Sequence, residues 1–197
     1  MGRKLFVLML LLSIFVATPG CGTSEKTKFY LLRPMVEKSA LVEDLSGSAP
    51  VIGLGPIGIP EYLNRPQIVT TSGTSKLELA EFHRWAEPLE QNFSRVLAEN
   101  LSAQLPESRI VLFPWERSTT VNFQVKVSVV NFSGESGRRA VLDVRWSLIK
   151  AGKVSSEKHS VFEQPLKSGE IEELVMAQSR TVADLSRAVA EAIRREQ

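Results

Sequence analysis

The sequence predicts a single α+β domain, a mainly antiparallel sheet with two long helices packed on one face. Three observations predict it: runs that alternate apolar with polar residues, two segments whose apolar residues recur every three or four positions, and an element order of strands, helix, strands, helix. In a chain of 197 residues with no internal repeat and no low-complexity block, one hydrophobic core is the expected arrangement.

The N-terminal stretch sets the context. Arg3 and Lys4 precede an apolar run from Leu5 to Ala17 broken only by Ser13, followed by Thr18-Pro19-Gly20 and the chain's single cysteine, Cys21. The run is shorter than the roughly 20 residues a spanning helix needs, and its basic flank and small closing residues are those of a signal peptide over 1–20. A Cys directly after small residues resembles the acylation site of bacterial lipoproteins, with Thr18 and Pro19 departing from that motif. The competing reading is an ordinary secretory signal with a spare thiol. Against it, a lone exported cysteine has no disulfide partner, whereas acylation gives it a use. Gly22, rather than Asp, after Cys21 resembles the sorting signal for the outer membrane.

Removing Arg3 and Lys4 with the signal balances a chain that carries 24 Lys+Arg against 22 Asp+Glu. With no basic block interleaved with aromatics, nucleic acid is not the expected partner.

Residues 21–28 are small, polar and charged and read as the acylated Cys with a flexible tether. The folded domain is expected over 29–197, beginning with a strand at Phe29–Leu32 that Arg33-Pro34 stops; the polar stretch Glu37–Pro50 reads as a loop. Val51–Gly55 opens a second strand, within which Gly53-Leu-Gly55-Pro-Ile-Gly58 matches the G-x-G-x-x-G of dinucleotide-binding folds. The context fails, because Pro56, Pro60 and Pro66 leave no place for the helix that such a motif must open. An extended strand, kept by its prolines at an edge or a bend, is expected instead.

Pro60–Pro66 reads as a turn or single helical turn, and Gln67–Thr71 and Lys76–Glu81 as a hairpin around Ser72–Ser75. Phe82–Pro88 then leads into a helix whose stripe is Leu89, Phe93, Val96, Leu97, Leu101 and Leu105, ended by Pro106. Further strands are expected at Arg109–Phe113, Val121–Phe132, Arg139–Lys150 and Val154–Phe162, the second and third alternating apolar and wet residues across a loop at 133–137. A closing helix from about Glu170, capped by Ser168 or Gly169, would bury Ile171, Leu174, Val175, Val182, Leu185, Val189 and Ile193.

The residue types that carry catalysis are sparse. Neither His83 nor His159 has a His, Cys or carboxylate at a helical or strand spacing that makes a metal site persuasive, so no metal site or cofactor is expected. No G-x-S-x-G elbow is present, and Glu172-Glu173 open a helix, where acids suit the dipole. The expectation is a protein that is not an enzyme. Tyr62, Arg65, Trp85 and Trp115, with Arg84 and Glu87 beside Trp85, are instead the residue types that anchor partner surfaces. The plainer alternative for each is structural: Trp85 stapling the helix start, Trp115 covering a core edge, Arg84 or Arg65 pairing with Glu87.

Phe29–Pro34, Ile52–Val69, Arg84–Leu89 and Phe113–Trp115 together resemble the ABC-type transport auxiliary lipoproteins, in particular those of paraquat-inducible (Pqi) systems. The resemblance implies a non-enzymatic lipoprotein on the periplasmic face of the outer membrane. Its implied partners are the membrane itself, through acylated Cys21, and an MCE-domain protein of an inner-membrane-linked complex that moves lipid between membranes. It leaves self-association open. A periplasmic lipid carrier with an apolar cavity is the alternative, and an envelope hydrolase a third.

Overall fold

A computed structural model describes residues 25–35, 49–72, 76–135 and 137–197, together with Gly2. Apart from Gly2, the expected signal peptide lies outside the described residues, as do Cys21, Gly22 and nearly all of the expected 37–50 loop. The elements follow as β1 (Lys28–Tyr30), β2 (Val51–Gly58), β3 (Gln67–Ser72), β4 (Lys76–Trp85), α1 (Leu89–Gln104), β5 (Arg109–Leu112), β6 (Phe123–Glu135), β7 (Arg139–Lys150), β8 (Lys153–Pro165) and α2 (Ile171–Glu196).

All eight strands join one sheet built around β6. One edge of β6 carries the antiparallel meander β6–β7–β8. Its other edge pairs in parallel with β2 along its first half and meets β3 through Thr71 and Glu135 near its end. Antiparallel ladders dominate by length, as expected, while β1–β4, β2–β5 and β2–β6 run parallel. Both helices lie on one face. Phe93 of α1 meets Phe132 edge-on at 5.6 Å, and Leu174 of α2 closes over Gly134, two residues further along the same face of β6. Fully buried Phe93, Trp146, Phe132, Leu97 and Leu101 fill the space between helices and sheet.

The structure refines the sequence reading at several places, and of the two positions expected for β2, an edge or a bend, it takes the bend. β2 is no edge strand: β5 flanks it on one side and β6 on the other. Pro56 is accommodated at a bend, because pairing with β5 ends at Leu54 and the β6 ladder shifts register between Leu54 and Ile57. β4 extends to Trp85, past the point where the helix approach was expected, since β1 supplies a parallel partner for His83, Arg84 and Trp85. β6 continues through Ser133-Gly134 to Glu135, held by Val141 to Arg139 opposite. The cap of α2 is Glu170, not Ser168 or Gly169, and the Ser168 hydroxyl only accepts a long bond from the Glu170 N–H at 3.4 Å.

The chain entering the domain is clamped between the helices. After β1, the Leu32 N–H donates to Asn92 Oδ1 at 2.7 Å, while Asn92 Nδ2 donates back to the Leu32 carbonyl at 3.4 Å. The Arg33 N–H reaches Ser179 Oγ on α2 at 3.1 Å, and the Met35 N–H reaches Asn100 Oδ1 on α1 at 3.0 Å. Asn92 and Asn100 are both fully buried, so each supplies the strand-like partner that this segment lacks. Asn92→Ala strips Leu32 of both partners, and a buried unpaired polar group costs about 1–3 kcal/mol. Urea unfolding should show a lower midpoint with an unchanged slope.

Candidate functional site

The turn after β2 is wound by bonds from the Leu63 and Asn64 N–H groups to the Pro60 carbonyl, at 2.9 and 3.2 Å. Leu63, 2% exposed, pins it to the core, and this leaves Tyr62 and Arg65 outside. Tyr62 is 37% exposed and its hydroxyl donates to Asn131 Oδ1 on β6 at 3.3 Å. Partial burial raises its phenol above the ordinary value, so the ring presents a neutral hydroxyl at physiological pH. Arg65 is exposed and makes no ion pair among the described residues.

Trp115 is half-buried. Its ring lies over Gly53, where a Cβ would stand 2.8 Å from two of its carbons, so only glycine lets the indole lie this close to the strand. Phe113 meets it edge-on at 5.5 Å and is itself 53% exposed, and neighbouring Leu112 is 42% exposed. Gly53 and Gln124 are register partners and share a face. The core side of β6 carries Phe123, Val125, Val127 and Val129, so Trp115 covers the side away from the helices. Asn131 lies on that open side too, opposite the buried Phe132. Tyr62 and Trp115 therefore mark two ends of the open face, separated along β6 by the Gln124 to Asn131 span of roughly 20–25 Å.

Trp85 has a different place. It is 6% exposed and part of the core, with its N–H donating to the Pro66 carbonyl at 2.7 Å. Glu87 pairs with Arg95 at 2.6 Å, not with Arg84 or Arg65, and Arg95 also reaches Glu99 at 3.2 Å. Two bonded carboxylates raise the Arg95 pKa further. Arg84 is half-buried, and its Nε is without a partner among the described residues.

The structure thus brings Trp115 together with Phe113, whereas Leu112 pairs in register with Leu54 on the other side of the sheet. The signal for Phe113 was available: an apolar side chain directly before Pro114, at the end of a short strand, has little sheet left to pack on. The histidines are structurally engaged, His83 accepting or donating at 2.7 Å to the Tyr30 hydroxyl and His159 at 2.6 Å to Asp143. Among the described residues no three His, Cys, Asp or Glu side chains group as a metal site, and no helix is long and apolar enough to cross a membrane. A depression of about 640 Å³ lined by Pro50, Glu107, Asn122, Phe123, Lys150 and Gln197 is open to solvent and edged by charge.

Residues 30–190 match the sequence pattern of the ABC-type transport auxiliary lipoprotein component. The chain belongs to that family. Within the auxiliary lipoproteins it is similar to the intermembrane transport lipoprotein PqiC of Escherichia coli K12, 26% identical over 136 residues that cover 68% of this chain and 70% of the relative. The PqiC of Shigella flexneri matches to the same extent. One crystal structure superposes with a TM-score of 0.72 at 22% identity, covering 86% of this chain and 99% of the other. A protein from Xanthomonas campestris superposes with a TM-score of 0.59 at 12% identity, over 83% and 92% of the two chains. These two structural likenesses concern the fold. The auxiliary lipoproteins are named for a transport role.

Proposed function

We propose that the protein is an outer-membrane-anchored periplasmic lipoprotein, a non-enzymatic auxiliary subunit of an MCE/ABC-type intermembrane lipid transport system that supports envelope integrity. The observation that carries this reading is the family match over 30–190, since the members it describes are transport auxiliary lipoproteins. Cys21 is the acylation site. Two or more acyl chains there give stable anchoring that a single chain cannot. The signal over 1–20 exports the chain, and 21–28 tethers the domain over 29–197.

The partner is an MCE-domain protein of the inner-membrane-linked complex. Its docking surface is the open face bracketed by Tyr62 with Arg65 at one end and Trp115 with Phe113 at the other. Aromatic rings and Arg65, which has no ion pair among the described residues, supply contact area and directional bonding. The Trp85 ring belongs to the core and not to this surface; only its backbone N–H, bonded to the Pro66 carbonyl, touches the Tyr62 turn. The carrier alternative is less well supported, because the space between helices and sheet is occupied by side chains such as Phe93, Leu97 and Trp146.

Mass spectrometry of the mature N-terminus from fractionated membranes tests the anchor. Acylated Cys21 in the outer-membrane fraction is expected, and Cys21→Ser should move the protein into the soluble periplasm. An unmodified N-terminus in soluble periplasm for the wild type would overturn the tethered-subunit reading. Capture of the MCE partner should fall on replacing Tyr62, Arg65 and Trp115 by alanine while circular dichroism stays native.

A further inference from the structure

The corner where the chain enters the domain carries an apolar patch that the docking surface does not use. Phe29 is 65% exposed, Phe82 38% and Leu31 36%. Scattered exposed apolar residues are ordinary on any protein; these three share one corner. β1 and β4 run parallel with Lys28 opposite His83 and Phe29 opposite Arg84. Phe82 therefore stands diagonally across from Phe29, on the face that also bears Arg84.

The opposite face of the same two strands is fully engaged. Tyr30 stacks on His83 at 5.5 Å and bonds to its Nδ1, and Trp85 is buried. Burial, and then Glu172 and Glu170, raise the Tyr30 pKa, so the acids at the start of α2 stand on that side. The corner is thus divided, with aromatic packing and acids on one side and exposed Phe29 and Phe82 with Arg84 on the other. Lys26 and Lys28, both exposed, lie on the approach to it.

Chain length says what meets the patch. Seven peptide units separate Cys21 from Lys28, a reach of at most about 25 Å when fully extended. A lipid on Cys21 therefore keeps the start of β1, and the corner it forms with β4, within that distance of the bilayer. The sheet recedes from this corner through β4, β3, β6 and β7 to β8, roughly 5 Å per strand.

We propose that Phe29, Leu31 and Phe82 rest on the phospholipid surface to which Cys21 anchors the protein, with Arg84 on the same face toward its phosphates. Aromatic side chains suit the headgroup boundary, and nearby cations add attraction to anionic lipid. The inference rests on the acylation reading above. It adds an orientation: the domain lies with its β1 corner on the membrane and its β8 edge away from it.

The test uses the matured, acylated full-length chain in vesicles of phosphatidylethanolamine and phosphatidylglycerol whose acyl chains are brominated. Phe29→Trp, Phe82→Trp and, as the distant control, Val154→Trp on β8 are compared with the wild type. The emission added at 29 and at 82 should be largely lost relative to unbrominated vesicles, and that added at 154 should be retained. Flotation with the vesicles but undiminished emission at 29 and 82 would overturn the contact alone, as would shielding of these positions by a second copy. Equal loss at all three positions would overturn the orientation. Failure to float at all would remove the acyl anchor and the inference together.

Discussion

Replacing Trp85 by alanine should destabilise the domain by about 3–5 kcal/mol, the cost of removing a large aromatic ring from a packed core. The ring is 6% exposed and stands among the hydrophobic core residues. Against a typical total of about 5–15 kcal/mol, such a loss should appear as a large fall in the urea midpoint. Trp115→Ala, at a half-buried ring on one strand, should leave the midpoint near that of the wild type and act on partner capture instead. The pair separates two residue types that look alike in sequence. An unshifted midpoint for Trp85→Ala would return that residue to the surface.

Gly55→Val is the second substitution expected to have a large effect. Gly55 has φ of +123°, a conformation closed to residues with a Cβ, and an added Cβ would fall 2.7 Å from Phe113 Cβ. Phe113 cannot easily withdraw, because its N–H donates to the Leu54 carbonyl at 2.9 Å. Strained backbone costs about 1–3 kcal/mol, and overpacking about 1–3 kcal/mol more. The variant should unfold earlier in urea, and in surviving folded protein the Phe113–Trp115 pair should be displaced. A Trp115 emission spectrum identical to the wild type would contradict this coupling between Gly55 and the aromatic end of the open face. Gly53 serves the same cluster by a different route, since the indole itself occupies the space of its missing side chain.

The G-x-G-x-x-G spacing of Gly53, Gly55 and Gly58 thus has a structural meaning that its letters do not convey. Two of the three glycines are required by aromatic residues some sixty positions further on. The prolines were enough to exclude a phosphate-binding helix. They could not say that β2 lies between β5 and β6, because Pro56 is harmless wherever the ladder happens to shift. Likewise Asn92 and Asn100 continue the apolar spacing of α1 at positions three and four from Leu89, Val96 and Leu97. A polar residue within such a stripe signals a buried partner. Which backbone it bonds depended on where the chain after β1 passed.

The sequence by itself determined the elements and their apolar faces, since periods of two and of three to four residues follow from local backbone geometry. It also carried the family, through motifs between Phe29 and Trp115. Only the tertiary structure decided that Trp85 is core while Trp115 lies on the surface, and that Phe113 joins it. It alone decided that β2 is interior and that Glu87 belongs to Arg95. Each of these depends on which strand lies beside which, and pairing between distant segments is selected by the packing of the whole sheet against its helices.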